Sequence, residues 1–249
     1  MFLRSQIASA RRKALCALAR RDVLIRCDRP LITFSFDDFP RTALIVGGSI
    51  LQNAGVRGTY YVAPGLMNTQ NHLGPHFCKE DLLDLLAAGH ELASHTYSHT
   101  SARTAGFTGY VDEVEKGFQG LSEILGLNAS RQFSYPFGEI TLRIKRTVGP
   151  KMQSSRGIFP GLNGPQVDLN LLRANHLYGD TDQFASAKML IDENNRRKSW
   201  LIFYTHDVRP TPSRFGCTPA FLERVVRAAV ESGARIATVG EVIALTQTS

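Results

Sequence analysis

The sequence predicts an α/β barrel, and two observations carry that expectation. Seven or eight short apolar stretches alternate with helical stretches along 249 residues, the pattern of parallel strands joined by helical crossovers. The polar residues best suited to chemistry also fall just past the C-terminal ends of those strands: Asp37 and Asp38, His95 and His99, the Tyr135–Gly138 turn, and His206 and Asp207. Barrel enzymes gather their active sites at that end. The length suits one large domain, and 43% hydrophobic residues supply an ordinary core. We divide the chain into a basic helical extension over 1–29 and a barrel domain over 30–249.

Taken in order, Arg4 to Arg21 reads as a helix, with Ile7, Ala10, Ala14, Leu15 and Leu18 on one side. Leu31–Phe36 is the first core strand. Thr42–Asn53 is helical and stops at Ala54-Gly55. Gly58–Ala63 is a strand closed by Pro64-Gly65, and Asn68 to Phe77 is a polar rim loop. Lys79–Ala88 is a helix and Glu91–Ser94 a strand. A longer helix, Gly106–Gly126, follows. Arg131–Ser134 is a strand, Ile140–Val148 a helix and Lys151–Ser155 a strand. Gly157–Pro165 is a loop, Leu171–Leu177 a strand and Gln183–Arg196 a helix. Trp200–Thr205 is a strongly apolar strand, Thr218–Ser232 a helix, Arg235–Thr238 a strand and Val239–Leu245 a last helical turn.

Charge and cysteines narrow the function classes. The net charge of +7 is concentrated at the start, in Arg4, Arg11, Arg12, Lys13, Arg20, Arg21, Arg26 and Arg29. The plain reading is a solvated helix face; anionic lipid, a nucleotide-linked sugar or an acidic polymer are the alternatives. No aromatic residues interleave with these arginines, so a nucleic-acid partner is not expected. Cys16, Cys27, Cys78 and Cys217 show no metal-ligand or redox spacing and read as free thiols. With no signal peptide or spanning segment visible, a cytoplasmic chain is expected. Peripheral membrane contact through the basic start is left open, and oligomeric state is not legible.

The chemistry is carried by three groups. Two adjacent carboxylates at the end of a buried strand need a cation beside them, either a metal or an arginine. His95 and His99, four apart, would share one face of a helical turn and could grip a single ion. With Asp38 they form a two-histidine, one-carboxylate set with open coordination positions. Zinc is the first choice, with cobalt and nickel able to occupy the same site. Asp37 would then be free to take a proton from an attacking water. His206, expected across the pocket, could protonate a leaving amine, with Asp207 or another carboxylate holding its tautomer.

Ser35-Phe36-Asp37-Asp38, His95-Thr96-x-x-His99, Tyr135-Pro136-Phe137-Gly138 and Tyr204-Thr205-His206, in this order, resemble the polysaccharide deacetylases of carbohydrate esterase family 4. The resemblance spans roughly residues 30–245. It implies a deformed (β/α)7-type barrel, a divalent metal, and hydrolysis of N-acetyl groups on amino sugars of a glycan or oligosaccharide. By motif, Asp37 resembles the catalytic base, and Asp38, His95 and His99 the metal ligands. His206 resembles the general acid, and the Phe137 N–H after Pro136 the oxyanion donor.

Three departures stand out. The third motif usually carries an arginine, which orients the catalytic aspartate, where this chain has Ser134. Arg131, Arg156 and Arg173 are candidates to replace it. The Asp-rich fourth motif is unrecognisable, with Asp168 as a candidate remnant. In the fifth, Tyr204 replaces a leucine, which would reshape the pocket for the acetyl methyl. The competing functions are a deformylase or cyclic-amide hydrolase on the same scaffold, and a glycan-binding protein without catalysis.

Overall fold

The computed structural model of the protein describes residues 12–25, 28–126 and 130–245. Arg4, Arg11, Arg26 and Cys27 of the basic start lie outside the described residues, and the expected helix is described over 12–17.

The strands in chain order are β1 (Asp22–Leu24), β2 (Leu31–Asp37), β3 (Thr59–Val62), β4 (Gln70–Asn71), β5 (Gly74–Pro75), β6 (Glu91–Ser94), β7 (Gln132–Ser134), β8 (Ser154–Arg156), β9 (Gln166–Asp168), β10 (Asn175–His176), β11 (Trp200–Thr205) and β12 (Arg235–Ile236). The helices are α1 (Ser49–Asn53, entered through a π-helical turn at Ala43–Gly48), α2 (Lys79–Ala87), α3 (Gly106–Leu125), α4 (Leu142–Val148), α5 (Phe184–Arg197), α6 (Pro219–Glu231) and α7 (Val239–Ala244).

The main sheet runs β10-β11-β2-β3-β6-β7-β8, with β12 also on β2, and all its pairings are parallel. It curls into an incompletely closed barrel, consistent with the expected deformed barrel. An isolated Arg156–Leu172 bridge extends the sheet beyond β8.

β2 shows how polar residues near the site share a face with apolar ones: Leu31 packs with Trp200 and Ile202 on the side where Thr33 and Ser35 lie. All seven of its residues are buried. Ile32, Phe34 and Phe36 face the core cluster shared with Phe221, Leu222 and Val225 of α6. Thr33 and Ser35 lie on the other face: Thr33 Oγ1 donates to Ala237 O at 2.7 Å and Ser35 Oγ to Phe203 O at 2.8 Å. By the same alternation Asp37 continues the polar face.

The helices are set by their caps and apolar stripes. Thr218 caps α6 by accepting Phe221 N–H, with Pro219 at its first position. Thr238 and Glu241 cap α7 reciprocally. Tyr110, Val114, Phe118 and Leu121 form the buried stripe of α3, which ends at left-handed Gly126.

Four expectations need correction. The polar loop from Asn68 to Phe77 contains the small β4–β5 hairpin. Residues 149–151 form a 3-10 turn, so the expected strand from Lys151 begins only at Ser154. Leu171–Leu177 is strand only at Asn175–His176, because loop groups take its other backbone partners: Asn163 Oδ1 accepts Arg173 N–H at 2.8 Å and Phe159 O accepts Ala174 N–H at 3.1 Å. β1 was not anticipated; it pairs antiparallel with β9.

The segment before β2 is fastened to the barrel. Buried Lys145 Nζ donates to Leu15 O at 2.6 Å and Leu18 O at 2.8 Å, and meets Asp168 Oδ2 at 2.6 Å. Asp168 Oδ1 in turn accepts Arg21 N–H and Asn170 N–H, each at 3.0 Å. Asp168 therefore anchors this segment. No described helix is long and apolar enough to cross a membrane.

Candidate functional site

The site opens where β2 ends. Asp37 is the last strand residue, and Asp38 and Phe39 follow with φ of +62° and +53°. Two consecutive left-handed residues without glycine are uncommon and turn the chain abruptly. Both carboxylates are nearly fully buried.

Among the three candidate arginines, Arg156 takes the place beside Asp37. Its Nη2 donates to Asp37 Oδ1, and its Nη1 to Gly157 O at 3.1 Å. Its guanidinium also faces the rings of Tyr61 (4.6 Å) and Tyr204 (5.0 Å). Arg131 instead bonds Lys151 O on the surface, and Arg173 bonds Pro160 O. Arg156 is the register partner of Ser134 across β7 and β8, so the cation reaches the site from one strand farther along. Burial by itself raises the Asp37 pKa, but Arg156, His95 and His206 outweigh it and hold the carboxyl below its usual value.

His95 follows β6, and His99 comes four residues later, but not on a helical turn. Residues 95–100 form an irregular bend in which Thr96 and His99 have φ of +64° and +53°. α3 sits tightly against this bend: a Cβ on Gly117 would lie 2.7 Å from the Thr96 carbonyl carbon. Ser98 and Thr100 are tied to Glu113 of the same helix. The bend brings the two imidazoles together, with ring centres 5.0 Å apart.

Asp38 Oδ1 lies 3.4 Å from His95 Nε2 and 3.0 Å from His99 Nε2. These three donor atoms lie within 4.8 Å of one another. His95 Nδ1 is held by Ser134 O (2.9 Å) and Oγ (2.6 Å), which leaves Nε2 directed at Asp38. Ser134, where the resemblance expects arginine, thus orients a histidine.

Burial drives the His95 pKa down to about 3 and the His99 pKa to about 4, so both rings are neutral near pH 7. Burial pushes Asp38 up to about 6. Its Oδ1 is buried with no hydrogen-bond partner. Two neutral imidazoles and an unsatisfied carboxylate oxygen fit a divalent cation.

His206 follows Thr205, the register partner of Phe36, so it emerges at the end of the strand beside that of Asp37. The parallel β11–β2 pairing dictates this. Its Nδ1 donates to Phe215 O at 3.1 Å, which leaves Nε2 as the free nitrogen. A backbone carbonyl does the task expected of Asp207. Asp207 instead builds the following loop, accepting from Ser213 N (2.8 Å) and Oγ (2.5 Å) and pairing with Arg209 Nε at 2.7 Å.

These groups share a cavity of about 470 Å³ lined by Asp37, Asp38, His95, His99, Phe137, Tyr204 and His206, with Tyr178, Arg214 and Phe215 on its wall. Phe137 has φ of +59°, and its exposed ring lies 4.4 Å from that of His99. Pro136 is buried beneath the turn. Tyr178 was missed in the sequence; it follows β10, and its ring meets that of Tyr204 edge-on with centres 5.6 Å apart. His76 was also missed, and its Nδ1 supports Asp38 O at 3.2 Å. Tyr178 stands just past the expected strand Leu171–Leu177, a position that could have marked it, whereas His76 lies in the rim loop and only tertiary contact reveals it.

A family model described as polysaccharide deacetylase matches residues 26–150, half of the chain. The chain belongs to the polysaccharide deacetylase family. Carbohydrate esterase family 4 deacetylases are hydrolases acting on N-acetylated polysaccharides, and they use a divalent metal.

Solved structures share the fold of this polysaccharide deacetylase at low identity. A family 4 acetyl xylan esterase from Clostridium thermocellum, in complex with a cobalt ion, is 18% identical with a TM-score of 0.58, covering 86% of this chain and 91% of its own. The esterase domain of a multidomain xylanase from the hindgut metagenome of Trinervitermes trinervoides is 18% identical with a TM-score of 0.56, covering 87% and 91%. The catalytic domain of a peptidoglycan N-acetylglucosamine deacetylase from Eubacterium rectale is 14% identical with a TM-score of 0.54, covering 87% and 91%. No curated protein matches the chain.

Proposed function

We propose that the protein is a metal-dependent hydrolase that removes N-acetyl groups from an amino-sugar glycan or oligosaccharide. The observation that carries this reading is the convergence of Asp38, His95 and His99 in the cavity that also holds Asp37, fixed by Arg156, and His206.

Asp38, His95 and His99 would hold the cation, zinc first, with cobalt or nickel as alternatives. When bound it supplies Lewis acidity to the amide carbonyl and a lowered pKa for water. Asp37, kept ionised by Arg156, accepts the proton of the attacking water. The Phe137 N–H, presented by the left-handed turn after Pro136, donates to the developing oxyanion. His206 Nε2 delivers a proton to the departing sugar nitrogen as the C–N bond breaks, giving acetate and a free amine. Tyr204 forms part of the acyl wall.

The test is acetate release from N-acetylglucosamine oligomers by metal-stripped protein, with and without zinc. Zinc-dependent acetate that disappears in Asp37→Asn supports the reading. Tight zinc binding with no acetate from any oligomer counts against it.

Tyr178 and Tyr204, both in the cavity lining, favour a second reading, because two tyrosines make the acyl wall more polar than a leucine would. A formamide or a cyclic amide would suit such a wall. Formate release, or ring opening without a released acid, would identify it.

A further inference from the structure

The cavity mouth carries a charge that the proposed chemistry does not use. Among the described lining residues the acids are Asp37 and Asp38, and Asp37 is already matched by Arg156. Around them the lining continues through Asn71, His72, Arg214 and Phe215. Arg214 is exposed, and its guanidinium lies 4.5 Å from the centre of the Phe215 ring. It has no carboxylate partner among the described residues. Its neighbour Arg209 is different, being engaged by Asp207 at 2.7 Å and by His72 O at 3.2 Å.

The backbone that presents Arg214 is held on both sides. Ser213 is clamped by the buried Asp207 carboxylate, and Gly216 N–H donates to Ser213 O at 3.1 Å. Phe215 O fixes His206, so Arg214 is adjacent in sequence to the residue that orients the general acid. Stacking on Phe215 leaves the donor edge of the guanidinium available. Tyr178, Tyr204 and Phe215 line the same cavity as Arg214.

We propose that Arg214 is a specificity-determining residue that selects an amino-sugar substrate bearing an anionic group, a carboxylate or a phosphate, on or beside the acylated sugar. This rests on the deacetylase reading of the site, and the test below separates the two.

Zinc-loaded protein is assayed on N-acetylglucosamine oligomers, on oligomers whose adjacent sugar carries a carboxylate, and on N-acetylglucosamine 1-phosphate. The expected result is a kcat/KM about tenfold higher for an anionic substrate than for the neutral one, the size of one charge-assisted contact. The preference should reside in KM and shrink with added salt. It should fall toward unity in Arg214→Gln, persist in part in Arg214→Lys, and reverse in Arg214→Glu. A higher value for the carboxylate identifies an acidic polymer as the source. A higher value for the phosphate identifies an activated or lipid-linked sugar.

Binding of N-acetylmuramic acid, N-acetylglucosamine 1-phosphate and N-acetylglucosamine is measured in parallel by calorimetry, with Asp37→Asn protein. Arg214-dependent binding of the anionic probes without acetate release from any substrate would keep Arg214 as an anion-recognition residue, but would sink the deacetylase reading and with it the role in substrate selection. Acetate release with no preference for anions, or with a preference that Arg214→Gln leaves intact, would overturn this proposal alone.

Discussion

Arg156 and Asp37 stand on strands four places apart in the sheet order, yet their side chains share a buried hydrogen bond. In a flat sheet that separation would be about 19 Å at the usual strand spacing, several times farther than an arginine reaches. The bond is therefore a direct consequence of the curl. Closure of the barrel and charge compensation at the site are one structural event.

Removing the guanidinium should damage both. Arg156→Met leaves the Asp37 carboxylate buried and unpaired, and should cost roughly 3–5 kcal/mol of stability. Without its neighbouring cation Asp37 titrates at a higher pH, so the acidic limb of the kcat/KM profile moves upward. Arg156→Lys keeps the charge but loses the planar fork. It should recover more stability than turnover. Urea unfolding and a pH–rate profile on the same variants check both outcomes.

Metal should stabilise the fold. Zinc at about 100 times its dissociation constant should add roughly 2.7 kcal/mol, a rise in Tm of about 5–10 °C for a chain of this size. His99→Gln, which removes one of three donors, should lose most of that rise while leaving the metal-free Tm little changed. Differential scanning calorimetry with and without zinc makes the comparison, and an equal rise in both proteins would exclude His99 as a ligand.

Gly117→Ala should weaken metal binding from outside the cavity. The added methyl would meet the Thr96 carbonyl carbon at 2.7 Å and its oxygen at 2.8 Å. Overpacking of this kind costs about 1–3 kcal/mol, against a gain near 1 kcal/mol in helix propensity. The bend between His95 and His99 must shift to accommodate it. Zinc affinity measured by competition with a chelator should fall, while a substitution at exposed Glu123 on the same helix should not change it.

His90 makes stability depend on pH away from the cavity. Its Nδ1 accepts Gly58 N–H at 3.0 Å, which only the neutral ring can do. Burial, helped by Arg57, lowers its pKa to about 4. In the unfolded chain the ring titrates near 6.5, so below that pH the unfolded state takes up more protons. The His90 contribution is complete at neutral pH and is lost as pH falls from about 6.5 toward 4, on the order of 2 kcal/mol. The unfolding free energy of His90→Gln should be flatter over this window than that of the wild type.

Much of this was legible in the sequence because it is local. The Asp37-Asp38 pair and the two histidines sit at the ends of apolar strands, and strand parity puts Asp37 on the polar face with Thr33 and Ser35. The identity of the arginine was not legible. Arg156 earns its role through register with Ser134, and register between β7 and β8 has no signature in either segment alone. The Phe215 carbonyl escaped for the same reason, since it acts through a neighbour distant in sequence. Asp207 misled because adjacency to His206 suggested contact, whereas Ser213 and Arg209 engage its carboxylate. The helical reading of His95–His99 failed because spacing of four says nothing about φ at Thr96.

The fastening of Lys145 has a consequence for where the folding unit begins. The family match starts at residue 26, but Lys145 is completely buried and takes two of its three oxygen partners from Leu15 and Leu18. A polypeptide started at the family boundary would leave an ammonium facing two missing carbonyls and strip β9 of its only named partner strand among the described residues. The homology boundary and the thermodynamic boundary therefore differ by at least eleven residues, counted from 15 to 26.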